Sequence, residues 1–91
     1  DQREAQRAAR RERKQREKMQ GRQRDVEEEI AGLEEQMEAL SQRISAAGEA
    51  QDGDQVQAPG AEYEALEADS QVLWSEWETL SAALEDDADS A

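Results

Sequence analysis

The sequence predicts an all-α protein: an antiparallel two-helix coiled-coil hairpin with a basic N-terminal helical extension. Three observations carry this. Two apolar heptad runs flank a Gly/Pro-containing break, their spacings mirror each other, and nearly all the positive charge lies ahead of the first run. The first run is Val26, Ile30, Leu33, Met37, Leu40 and Ile44, stepping by 4, 3, 4, 3, 4. The second is Tyr63, Leu66, Ser70, Leu73, Trp77, Leu80 and Leu84, stepping by 3, 4, 3, 4, 3, 4. Folding the chain back pairs 44 with 63, 40 with 66, 37 with 70, 33 with 73, 30 with 77 and 26 with 80, so the number sums are 106 or 107 and the turn falls at Gly53 and Asp54. Each layer then meets one of similar height, as an antiparallel coiled coil requires. A seven-residue slip also fits but leaves one layer unpaired.

Residues 1–24 form a basic helical arm. Arg, Gln, Ala, Lys and Glu dominate it and all favour helix. Its only apolar positions are Ala5, Ala8, Ala9 and Met19, so it relies on pairs such as Glu12–Arg16 and on continuation into a packed helix. Gly21 is its weak point, costing about 1 kcal/mol relative to Ala. The packed hairpin spans residues 25–84. Its first helix covers 25–47, and the acidic start at Asp25, Glu27, Glu28 and Glu29 would suit an N-terminus. With no stronger breaker than Gly21, one continuous helix is expected. Residues 48–60 carry three Gly, Pro59 and three acids and read as a loop, with Gly48 as the C-terminal cap. The second helix covers 61–84. Residues 85–91 lack an apolar anchor and read as a disordered acidic tail. At ~1.5 Å per residue the second helix spans about 36 Å and covers the first back to about Gln23, leaving an arm of about 30 Å.

Composition agrees with a narrow seam. Of the 91 residues, 35% are hydrophobic and 3% aromatic, with no Phe, too little for a globular core of ordinary thickness. No Cys or His is present, so disulfides and the commonest metal-binding and acid–base side chains are missing. No apolar stretch nears the ~20 residues of a membrane span, which makes cytoplasmic the default compartment. The opening at Asp1 suggests a fragment of a larger protein. The net charge of −13 divides sharply: residues 1–24 hold ten basic and four acidic residues (+6), and residues 25–91 hold one basic and twenty acidic (−19). Such asymmetry points to an arm with its own electrostatic task.

That arm supplies the candidate binding residues. Arg7, Arg11, Lys14, Lys18 and Arg22 step by 4, 3, 4, 4 along one helical face, and Arg3, Arg10, Arg13, Arg16 and Arg24 widen it. Such a face can neutralise several phosphates along a nucleic-acid backbone. Its lack of aromatics favours backbone contact over base reading, so sequence-tolerant binding to DNA or RNA is expected. The plainer alternative is a solvated helix that bridges domains. Trp74 and Trp77 read as packing residues, because acidic neighbours at Asp69, Glu76 and Glu78 would repel phosphate. Asp52, Gly53 and Asp54 suggest a calcium loop, but position 56 is Val and the twelfth position is Tyr63, so a solvated acidic loop is the better reading. No nucleophile–base pair, Gly-rich phosphate loop or pocketed carboxylate pair occurs, and no enzymatic activity is expected. No metal site and no cofactor are expected either.

Four features resemble the C-terminal coiled-coil domain of ABC-F ATPases, closest to the Uup-like branch, over residues 14–84. Lys14, Lys18 and Gln20 match a K-x-x-x-K-x-Q segment. Ile30–Ile44 (IAGLEEQMEALSQRI) is similar to I-x-x-L-E-x-x-I-x-x-L, and a Gly/Asp/Pro loop of similar length follows. Trp77, Glu78 and Leu80 align with a closing W-E-x-L. Arg16-Glu17 replaces the family's Ser-Tyr, which puts any contact through that Tyr in doubt. The resemblance implies a parent with two ATP-binding cassettes, whose ATP and magnesium belong to those cassettes, and a hairpin credited with nucleic-acid binding. Relatives associate with ribosomes or DNA. The rival reading is a structural coiled coil that self-associates, the arm of one chain lying on the acidic body of another.

Overall fold

The computed structural model describes residues 1–89, with side chains through Asp86. It is an antiparallel hairpin of two helices, α1 (Gln2–Glu49) and α2 (Asp54–Asp89), with a long axis of 74 Å and a cross-section of 17 × 14 Å. The long axis is that of α1, whose 48 residues at ~1.5 Å each span about 72 Å. Asp1 caps it, its carboxylate accepting the Arg3 N–H at 2.9 Å. The helix runs unbroken through Gly21 and Asp25. At Gly21 an added Cβ would meet only open space, so the glycine has no packing role.

The loop is shorter than the sequence suggested. It comprises residues 50–53 instead of 48–60, and Gly48 lies inside α1. Gln51 makes the turn at φ 57, in the left-handed region. Its N–H bonds the Gly48 carbonyl at 3.1 Å, and the Asp52 N–H bonds the Ala47 carbonyl at 2.9 Å. This pair of bonds is a Schellman closure, normally built on glycine. Pro59, which read as loop, sits in the second turn of α2 and is buried. A proline here sacrifices one N–H bond near a helix start, and its ring gains a place in the seam. Ala47 and Val56 also join the seam, so the apolar repeat reaches almost to the turn.

The shorter loop resets the register. Gln23 pairs with Ser81 and Glu27 with Trp77, and both number sums are 104. The expected sums of 106–107 are therefore corrected by about one helical layer. Helices that continue to Glu49 and restart at Asp54 centre the turn near residues 51–52. This register sets Val26 level with Trp77, Ile30 with Leu73, Leu33 with Ser70, Met37 with Leu66, Leu40 with Tyr63 and Ala47 with Val56. Val26 (0% exposed), Ile30, Leu40 and Ala47 are the buried apolar residues of α1. The α2 seam leucines are only half-buried, as expected when each helix has a single partner. Ser70 is buried among them at 8% exposure.

The acidic end is also corrected. Residues 85–89 continue α2 as helix, whereas residues 90 and 91 lie outside the described residues. Extrapolating the register, Asp89 lies level with about residue 14 of α1. Pairing thus extends well beyond Gln23, and the unpaired overhang is residues 1–13, about 20 Å instead of about 30 Å. The apolar repeat explains the extension: Met19 and Gln23 continue the α1 seam upstream, and Leu80 and Leu84 supply the facing layers, all four being half-buried.

Candidate nucleic-acid interface

The basic residues fall into two groups. Arg3, Arg7, Arg10, Arg11 and Arg13 are exposed on the overhang, where α2 does not reach. Arg3, Arg7 and Arg10 step by 4 and 3, and Lys14 follows four residues on, so these cations form a stripe along the helix. Asp1, Glu4 and Glu12 share the overhang and reduce its net charge to +2. The second group, Lys14, Arg16, Lys18, Arg22 and Arg24, lies alongside the end of α2. Lys14, Lys18 and Arg22 border an open groove with Gln15, Met19 and Leu80. Arg16 is half-buried, and Arg24 is exposed.

Arg22 departs from the expected free phosphate-binding role. Its guanidinium grips Glu76 with two hydrogen bonds, Nε to Oε2 at 2.5 Å and Nη2 to Oε1 at 2.9 Å. Its other terminal nitrogen lies 3.6 Å from a Glu29 carboxylate oxygen. This forked geometry suits a planar guanidinium better than an ammonium. The Arg22 hydrogen bond holds Glu76 below the ordinary 4.5 of a glutamate, against a smaller opposing effect of desolvation. Arg22 is raised in turn above the ordinary guanidinium range, chiefly by the same bond. It therefore works first as a clasp between α1 and α2.

The clasp was not visible in the sequence, because Glu76 sits 54 positions away. Two further cross-helix bonds were missed for the same reason. The Gln23 amide donates to Ser81 Oγ at 2.7 Å, and the Trp77 indole N–H donates to Glu27 Oε1 at 2.9 Å. The step from Met19 to Gln23 to Val26 is itself heptad-like and would have placed Gln23 at the seam. Trp74 stands edge-on to Trp77, ring centroids 5.7 Å apart at 75°, and is 43% exposed. The tryptophans are thus tied to each other and to the acidic body. They are not an open platform for bases.

Among the described residues no cluster of His, Cys, Asp or Glu is arranged to hold a metal ion, and no helix is long and apolar enough to cross a membrane. The chain matches no family model, and neither a curated protein nor a solved structure matches it.

Proposed function

We propose that this chain is a non-catalytic nucleic-acid-binding domain that contacts the phosphate backbone of DNA or RNA through its basic arm. The observation carrying this reading is the overhang. Helix α1 outruns α2 by about 13 residues and presents Arg3, Arg7, Arg10, Arg11 and Arg13 to solvent, away from most of the acidic body. Long, exposed guanidinium groups on a rigid rod suit phosphates spaced along a strand. The motifs quoted above extend the proposal to the parent: a Uup-like ABC-F ATPase, with the hairpin as its C-terminal accessory domain, acting on DNA or on the ribosome in the cytoplasm.

A second reading is favoured by Arg22. Its fork on Glu76 is one α1 cation seated on an acidic surface of α2, and the same chemistry between chains would give self-association. Fluorescence anisotropy with a DNA duplex and with an RNA hairpin at low salt separates the two. Binding that is lost when Arg3, Arg7, Arg10, Arg11 and Arg13 are all changed to Gln supports the first reading. If the wild-type chain binds neither probe and sediments as an oligomer that the same substitutions dissolve, the second replaces it.

A further inference from the structure

We propose that the acidic end of α2 is an intramolecular competitor for phosphate, shielding the inner half of the basic arm until nucleic acid displaces it. The proposal rests on the phosphate-binding reading above and deepens it by dividing the arm into an open and a guarded zone. Three observations carry it.

The first is register. The Gln23–Ser81 and Glu27–Trp77 bonds, extrapolated along both helices, set residues 79–89 of α2 level with residues 14–24 of α1. The second is charge. Residues 14–24 hold five cations and Glu17, a net of +4. Residues 79–89 hold Glu85, Asp86, Asp87 and Asp89, a net of −4, so the two stretches cancel. Neighbouring helix axes are 8–10 Å apart, no more than about one Debye length at physiological salt, so these charges feel one another across the seam. The third is a contact of the same chemistry just outside that stretch: Arg22, which borders the groove with Lys14, Lys18 and Leu80, forks onto Glu76.

The arrangement also answers a local problem in α2. Carboxylates in the last turns of a helix oppose its macrodipole, and α2 has no basic residue in its last turn. The proposed pairing with the cations of α1 at that level would offset the repulsion, and half-buried Leu84 supplies apolar anchorage. A phosphate backbone entering the groove must compete with those carboxylates for Lys14 and Lys18, and with Glu76 and Glu29 for Arg22. With the end in place the available stripe runs through the overhang; with it displaced the stripe runs on through Lys14 and Lys18.

Two measurements on the full chain test this. Lys14 and Lys18 are its only lysines, so zero-length carbodiimide cross-links to a side-chain amine can come from these two alone. In the free protein these lysines should join carboxylates within residues 85–89 in preference to those near the loop, and adding a DNA duplex should suppress the products. The second measurement compares duplex affinity after neutralising Glu85, Asp86, Asp87 and Asp89 to Gln or Asn. With the competing carboxylates gone, Lys14 and Lys18 need not be freed before they meet phosphate, so affinity should rise about tenfold or more at low salt. Neutralising Glu49, Glu62, Glu64 and Glu67 changes net charge equally but lies several Debye lengths away and should alter affinity less than about twofold. Equal gains from both sets would reduce the effect to net charge and overturn the proposal. So would an absence of cross-links to residues 85–89, or cross-links that persist when duplex is bound. If neither wild type nor the neutralised variant binds duplex while the cross-links form, the phosphate-binding reading fails and the competitor role falls with it.

Discussion

Val26 and Val72 offer a matched pair of substitutions that differ only in where the helices place them. Val26 is 0% exposed at the level of Trp77, whereas Val72 is 69% exposed at the rim of an open groove between the helices. Changing either to Ala removes the equivalent of two methylenes. At ~0.8 kcal/mol each, full burial makes that about 1.6 kcal/mol for Val26, and incomplete collapse of the seam adds several tenths. Ala is the better helix former by about 0.5 kcal/mol, which returns part of the loss. The net expectation for Val26→Ala is a destabilisation of about 1.5–2 kcal/mol. For a chain of this size that lowers the melting temperature by about 6–16 °C. At Val72 only about a third of the transfer energy is at stake, and the propensity gain cancels it, so Val72→Ala should fall within about 0.5 kcal/mol of wild type. Urea and thermal unfolding followed by far-UV circular dichroism read both numbers. Equal losses at the two positions, or a neutral Val26→Ala, would refute the seam described here.

Three other substitutions probe separate parts of the hairpin. Ser70→Leu should stabilise by about 1–2 kcal/mol, because a buried Leu contributes roughly 1.5–3 kcal/mol and some strain opposes it; a lower denaturation midpoint would show that the layer at Leu33 has no room. Gln51→Gly should stabilise by about 0.5–1 kcal/mol, since a left-handed conformation costs a non-glycine residue about 1–2 kcal/mol and glycine's extra freedom in the unfolded chain returns part of that; a destabilised variant would contradict the Schellman closure. Glu76→Gln should lower the melting temperature at neutral pH and have no effect in strong acid. Arg22 depresses the Glu76 pKa, so the stabilisation is complete above the ordinary glutamate pKa and is lost as pH falls through the depressed value. A difference between the two proteins that survives into strong acid would mean that the clasp does not depend on the Glu76 charge.

The hairpin was legible from periodicity alone, because a helix with one partner needs only a narrow apolar stripe and the chain repeats that stripe twice. The register was misread by one layer for a local reason. Pro59 and the glycines around it carry strong loop signals, and position-independent propensity gives no credit for a proline ring that packs in the second turn of a helix. Once Val56 and Pro59 are counted as seam residues, the heptad itself points to the shorter loop. The helical continuation past Leu84 has no local signal, because the stretch of α1 that lies level with it is some 60 positions distant. Within the basic arm, the stripe of Arg and Lys was visible in the sequence, but its division into an overhang and a flanked stretch follows from where α2 ends. The clasp between Arg22 and Glu76 had no sequence signal, because both residues sit among many like-charged neighbours.

The most direct test of the phosphate-binding arm is the salt dependence of duplex DNA affinity for the full chain and for the variant with Arg3, Arg7, Arg10, Arg11 and Arg13 changed to Gln. Five overhang guanidinium groups that engage about three to five phosphates predict a slope of log affinity against log salt near −3 to −5, at ~0.9 per phosphate. The fivefold substitution should flatten the slope by about that amount, leaving only what the inner lysines contribute, and weaken binding to all sequences alike. A wild-type slope already near zero, or a slope unchanged by the substitutions, would contradict the assignment of the overhang as the nucleic-acid-binding element.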